Sequence, residues 1–232
     1  MDLRSIKVIG FDADDTLWEN ETFFREAEHQ FANVLSDFMP EEDIMRELYQ
    51  IELANMPIYG YGIKAFILSL IETSCLITHN QLTAEHTTQI LAIGKEMLNK
   101  PVELLDDVPE VLQILSQKYK LIVATKGDLL DQERKLAKSG LLTYFHHIEV
   151  MSDKHPEAYL KLINHLEVEP AEFLMIGNSM KSDILPVEEI GGYGIHVPFH
   201  TTWHHEVVEH HVVSDRVHEV GKLSEVLTLF NS

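Results

Sequence analysis

Ile6-Lys7-Val8-Ile9-Gly10-Phe11-Asp12-Ala13-Asp14-Asp15-Thr16-Leu17-Trp18 decides how the rest of the chain is read. Its first half is a short, apolar, β-branched run with the composition of a strand buried on both faces, as in a parallel sheet. The run stops in a cluster of carboxylates, Asp12, Asp14 and Asp15. Burying such a cluster costs on the order of several kcal/mol unless water, a cation or both offset its charge. In open α/β sheets, ligands bind at the carboxyl ends of the strands. A carboxylate there can act as a nucleophile, and a second one two residues on can move a proton. The plain alternative is a strand followed by an acidic turn.

Beyond Trp18 the pattern turns helical up to about residue 100. Phe23, Phe24, Ala27, Phe31, Val34, Leu35 and Phe38 recur at helical spacing, and Pro40 is suited to open a second helix with Ile44, Leu48 and Ile51. Pro57-Ile58-Tyr59-Gly60-Tyr61-Gly62 reads as a break. The period resumes at Ile63, Phe66, Ile67, Leu70 and Ile71, and Thr83 is placed to cap a helix carrying Ile90, Leu91, Ile93, Met97 and Leu98. Nothing in this stretch reads as a strand. An all-helical block wedged after a first strand has the character of an inserted lid.

From Pro101 strand and helix alternate. Leu121-Ile122-Val123-Ala124 is an apolar run ending at Thr125-Lys126-Gly127, and Ile148 to Met151 is a weaker strand followed by Ser152-Asp153-Lys154. Phe173 to Ile176 leads into Gly177-Asn178-Ser179-Met180-Lys181-Ser182-Asp183, and Gly194 to Val197 is a further strand. An edge strand is expected around Val212-Val213 and a last helix from Leu223 to Phe230. Repeated β-α units call for a doubly wound parallel sheet. The expected architecture is α/β: a Rossmann-like core of residues 1–17 and 101–232, with residues 18–100 forming an inserted helical cap.

Parallel strands bring their carboxyl ends to one edge, so Asp12, Asp14, Thr125, Lys154, Asn178 and Asp183 are expected to converge. Asp12-x-Asp14-x-Thr16, Thr125, Lys154 and the Asn178/Asp183 pair resemble, in the usual order, the four motifs of the haloacid dehalogenase superfamily of hydrolases. The resemblance implies that Asp12 is a nucleophile that forms an aspartyl-phosphate, and that Asp14 is the general acid/base. Thr125 and the backbone N–H of Lys126 would hold the transferred phosphoryl group, and Lys154 would offset its charge, with Lys181 as a fallback. Mg²⁺ is the implied cofactor, with Asp12, Asp14 (through its carbonyl), Asn178 and Asp183 as its implied surroundings. Many relatives have Gly-Asp where this chain has Gly177-Asn178. An amide oxygen can ligate Mg²⁺ but brings no charge, so Asp183 is left open as a ligand, as acting through water, or as a support for Lys154.

Composition narrows the partners. A chain of 232 residues, 45% hydrophobic, suits one large domain or one domain with an insertion. No run approaches a membrane span of about 18 apolar residues, and Asp2 and Arg4 stand where a signal peptide needs an apolar stretch. A lone Cys75 is compatible with a reducing cytoplasm. A formal charge of −20 disfavours nucleic acid and anionic membranes as partners. A small phosphorylated metabolite is the expected substrate, with monomer and homodimer both open. His196, His200, His204, His205, His210, His211 and His218 invite a zinc site, but the tight ligand spacing of such sites is missing.

The favoured reading is a Mg²⁺-dependent phosphatase acting on a small phosphate monoester. A 2-haloacid dehalogenase also uses an aspartate nucleophile, but a departing halide needs no proton from Asp14. A phospho-switch or a non-catalytic binding protein on the same fold are the remaining alternatives.

Overall fold

A computed structural model describes residues 1–201, 203–206 and 214–230. The chain forms two compact units. One comprises Met1–Glu21, Val102–Lys126 and the described part of Gln132–Ser232, and the other Thr22–Pro101 with Gly127–Asp131.

The first unit is built on a six-stranded sheet. In chain order its strands are β1 (Val8–Phe11), β2 (Lys120–Lys126), β3 (Phe145–Met151), β4 (Phe173–Gly177), β5 (Tyr193–His196) and β6 (Val217–Glu219), arranged β3-β2-β1-β4-β5-β6. Every pairing is parallel, and Phe11 is level with Val123 on one side and Ile176 on the other. The apolar runs are continuous because both faces are covered. Ile9, Phe11, Leu121, Val123, Leu174 and Ile176 point to one side, into a cluster with Val111 and Leu112 of α5 (Val108–Leu115) and Leu136 of α6 (Leu129–Ser139). Val8, Ile122, Ala124, Phe173 and Met175 point to the other, against Tyr159, Leu162 and Ile163 of α7 (Pro156–His165) and Val187 of α8 (Leu185–Glu189). Full burial of each large apolar side chain contributes about 1.5–3 kcal/mol before the entropy cost of ordering it. The doubly wound parallel α/β architecture expected from the sequence is therefore the fold of this unit.

The chain leaves β1 for β2 on one side of the sheet and later returns to β4 on the other side of β1. That reversal puts a crevice at the carboxyl end of β1. The edge strand expected around Val212-Val213 falls outside the described residues. The last helix opens with a 3₁₀ turn, Leu223–Glu225, before α9 (Val226–Leu229).

The second unit is helical throughout its described length: α1 (Glu21–Val34, whose first residue belongs to the sheet unit), α2 (Glu41–Tyr59), α3 (Ile63–Ile77) and α4 (Ala84–Asn99). Phe31, Ile44, Leu48, Phe66, Leu70, Ile90 and Ile93 form its core. Thr83 caps α4 as expected, its hydroxyl accepting from the His86 N–H. Gly94 lets α3 and α4 approach, since a Cβ there would lie 2.0 Å from Ile67 Cδ1. The break expected from Pro57 begins only at Gly60. Pro57 lies in the last turn of α2, where its missing N–H forfeits a single helical bond. Residues 127–131 join this unit through Lys64, whose Nζ donates to both oxygens of Asp128 at 2.9 and 3.0 Å. No helix among the described residues is long and apolar enough to cross a membrane.

Candidate active site

The carboxylates that close β1 turn to separate partners, which is how the fold accommodates their charge. Asp15, with a left-handed backbone (φ 62°), turns aside and accepts the N–H groups of Asn20 and Glu21 at 2.8 and 3.0 Å. Burial pushes its carboxyl up to about 8. Asp12 and Asp14 stay with the sheet edge.

Asp12 Oδ1 lies 2.5 Å from Lys154 Nζ, which also sits 2.6 Å from Asp183 Oδ1. The Lys154 and Asp183 side chains are each 1% exposed. Burial works to lower the Lys154 ammonium, but the charges of Asp12 and Asp183 outweigh it and hold the group well above its ordinary value. For Asp12 burial dominates: it pushes the carboxyl up to about 7, with Lys154 opposing and the Asp183 and Asp14 charges adding to the rise. Two buried carboxylates against one ammonium leave a net negative charge. Lys181 does not reach Asp12; its Nζ donates to the His205 carbonyl at 2.8 Å.

The second oxygen of Asp12 faces a different set. Thr16 Oγ1 is 3.3 Å from Asp12 Oδ2 and 3.3 Å from Asn178 Oδ1, and it accepts the Asn178 N–H at 3.0 Å. One hydroxyl proton can serve only one of those two oxygens at a time. The carboxylate oxygen and the amide oxygen therefore converge on a spot with spare acceptor capacity. An all-oxygen set beside uncompensated negative charge fits a hard cation such as Mg²⁺. Each Asp183 oxygen already meets a donor: Oδ2 accepts the Ser179 N–H at 2.9 Å and Oδ1 accepts from Lys154. Gly177 makes that inward turn possible: a Cβ on it would lie 2.2 Å from Asp183 Oδ2.

Asp14 is held by residues that the sequence pattern did not single out. Its Oδ1 accepts from Trp18 Nε1 at 2.7 Å and Lys135 Nζ at 3.0 Å, and its Oδ2 from Gln132 Nε2 at 2.8 Å. The Gln132 amide also donates to the Lys126 carbonyl at 3.0 Å, which settles its orientation, since both partners are acceptors. Its Oε1 is buried without a hydrogen-bond partner among the described residues. Gln132 and Lys135 are three apart in α6 and so share a face, the one sequence signal that could have marked them.

Thr125 closes β2, is 1% exposed, and its hydroxyl donates to the Lys126 carbonyl at 3.2 Å. The Lys126 side chain runs to Ser182 Oγ at 2.9 Å and Glu206 Oε1 at 2.6 Å. His196 at the end of β5 bridges the Asn178 carbonyl at 2.9 Å and Glu219 Oε2 at 2.8 Å. His210 and His211 lie outside the described residues.

The profile of the haloacid dehalogenase-like hydrolases matches residues 6–191. A glyceraldehyde 3-phosphate phosphatase of Pyrococcus furiosus is 25% identical over 200 residues, 82% of this chain and 79% of its own length. An N-acylneuraminate-9-phosphatase of Homo sapiens is 22% identical over 199 residues, 79% of each chain. Among solved structures, a haloacid dehalogenase-like hydrolase from Xanthomonas campestris superposes with a TM-score of 0.87 at 36% identity, covering 97% of this chain and 92% of its own. A hydrolase of the same class from Bacillus subtilis, solved with magnesium, has a TM-score of 0.64 at 17% identity, covering 98% of this chain and 99% of its own.

Proposed function

The chain belongs to the haloacid dehalogenase-like hydrolases, and from that premise we propose that it is a Mg²⁺-dependent phosphatase that cleaves small phosphate monoesters through an aspartyl-phosphate. The observation that carries this reading is the division of labour around Asp12. One of its oxygens is neutralised by Lys154, the other faces Thr16 and Asn178, and a second carboxylate, Asp14, stands two residues on with its own set of donors.

In the first half-reaction an oxygen of Asp12 attacks phosphorus, the bond to the leaving alcohol breaks, and Asp14 gives that oxygen a proton. In the second, Asp14 takes a proton from water as the water oxygen attacks the same phosphorus. Asp12 and inorganic phosphate are released. Lys154, held between two carboxylates, carries fixed positive charge beside the phosphoryl group, and Thr125 with the Lys126 N–H supplies donors to its oxygens. Asp12, the Asp14 carbonyl and Asn178 would hold the metal, with Asp183 acting through Lys154. The cation, when bound, would supply charge stabilisation to the phosphoryl oxygens.

The helical unit is read as the cap that selects the leaving group. The names of the curated relatives put phosphorylated sugars and related metabolites first in the search for a substrate. The test is a panel of phosphate monoesters together with 2-chloropropionate, each assayed with Mg²⁺ and with EDTA. Phosphate release that EDTA abolishes is expected. Metal-independent halide release would overturn the reading in favour of a dehalogenase, and a stoichiometric, long-lived acyl phosphate without turnover in favour of a phospho-switch.

A further inference from the structure

Glu206 has no counterpart among the residues that the reaction requires, yet it is deeply engaged beside them. Two contacts lie along the turn after β4: the Val197 N–H donates to the Gly177 carbonyl, and Lys181 Nζ donates to the His205 carbonyl. Glu206 Oε1 is 2.6 Å from Lys126 Nζ, and Oε2 accepts from Ser182 Oγ at 2.6 Å and from Ser179 Oγ. The Glu206 side chain is 12% exposed and that of Lys126 15%.

The hydrogen bonds among Lys126, Ser179, Ser182 and Glu206 interlock. Ser182 Oγ accepts from Lys126 Nζ and donates to Glu206; Ser179 Oγ accepts the Ser182 N–H and donates to Glu206. Each hydroxyl is thus used once as donor and once as acceptor, with no donor left to spare. A carboxylate beside an anion-binding site is costly unless it is neutralised in this way. A desolvated ion pair is also poor value for stability alone, because apolar side chains of similar size serve as well. What the pair does supply is direction: it ties the end of β2 to the turn after β4, which carry different parts of the site.

We propose that Glu206 is a positioning residue. It holds Lys126, at the end of β2 beside the Thr125 hydroxyl, against the turn after β4 that bears Asn178 and Asp183, so that the phosphoryl donors and the anchor of Lys154 keep one mutual geometry. Its consequence for phosphate binding rests on the phosphatase reading above; its consequence for these two segments does not.

The experiment has two arms, each run on the parent, Glu206→Ala, Glu206→Gln, Lys126→Met, the double variant Lys126→Met/Glu206→Ala, and Val226→Ala as a destabilised control in the apolar core. Hydrogen exchange without ligand reads segments 125–128 and 178–183. Glu206→Ala is expected to speed exchange in both, Glu206→Gln less so because the amide keeps one acceptor, and Val226→Ala in neither. The second arm reads the inhibition constant of inorganic phosphate and the KM of p-nitrophenyl phosphate. Both should rise roughly tenfold in Glu206→Ala, with Glu206→Gln intermediate and the double variant no worse than Lys126→Met. Exchange that quickens only around residue 206, a control that behaves like Glu206→Ala, or penalties that add in the double variant would overturn the proposal. A parent that neither binds phosphate nor cleaves esters would overturn the phosphatase reading, and the exchange arm would still decide the role of Glu206.

Discussion

Asp183 Oδ1 lies 2.6 Å from Lys154 Nζ, with each side chain 1% exposed, and the other oxygen of Asp183 is taken by the Ser179 N–H. Both of its oxygens thus have donors, and one of those donors is a buried lysine. Asp183→Asn keeps the size and removes the charge, leaving Lys154 with Asp12 as its one close counter-charge. A fall in kcat of roughly 10- to 100-fold, or about 1.4–2.7 kcal/mol, is expected. Mg²⁺ activation curves check the assignment: the half-saturating concentration should move less than about threefold. A shift as large as the loss in kcat would make Asp183 a direct ligand.

Asp12→Asn should abolish turnover, by more than about 10³-fold or about 4 kcal/mol, because an amide is a poor nucleophile. Burial already pushes the Asp12 carboxyl up to about 7, so a neutral side chain suits the site. The melting temperature is expected to hold or rise. Retention of more than about a tenth of the parent kcat would remove Asp12 from the role of nucleophile.

Asn178→Asp adds a negative charge beside Asp12 and Thr16 at nearly unchanged shape. If the Asn178 oxygen faces the cation, the variant should bind Mg²⁺ more tightly, by roughly tenfold or more. Isothermal titration with Mg²⁺ alone measures this without turnover. A curve that overlays the parent would place the Asn178 side chain away from the metal.

Gln132 and Lys135 grip Asp14 at 2.8 and 3.0 Å. Asp14 matters most when the leaving oxygen needs a proton, which an alkoxide does and p-nitrophenolate does not. Lys135→Met and Gln132→Leu should therefore lower kcat on an alkyl phosphate by roughly 10- to 100-fold and on p-nitrophenyl phosphate far less. Equal losses on both substrates would assign the two residues to packing.

The Glu206 carboxyl gives a pH prediction. Burial works to raise it, but the Lys126 charge and the hydrogen bonds from Lys126, Ser179 and Ser182 outweigh burial and hold it at about 2, below its ordinary 4.5. A depressed carboxyl contributes stability above its unfolded value and loses it as the pH falls through the folded one. The contribution is about 3 kcal/mol. Chemical unfolding of parent and Glu206→Gln between about pH 5 and pH 2 should show the parent losing up to that much more. Parallel profiles would mean that the ion pair does not depress Glu206.

The sequence by itself determined the sheet and the edge that carries the chemistry. Val8 to Phe11, Leu121 to Ala124 and Phe173 to Ile176 are apolar without interruption because a doubly covered parallel strand buries both faces, and that demand is written locally. Their polar sequels, Asp12, Thr125 and Asn178, must then share an edge, since parallel strands end together. Helical periodicity marked α1 to α4 for the same local reason, while Pro57 misled because one forfeited hydrogen bond near a helix end is too weak a signal to stop the helix. The tertiary structure alone decided which oxygen met which donor. Asp14 meets Gln132 and Lys135 from more than a hundred residues away, Glu206 meets Lys126 across 80, and Asp183 turns inward only because Gly177 leaves room. Such pairings depend on differences of a few tenths of an ångström in how side chains on different elements are placed, and no period or composition in the chain encodes them until the core has packed.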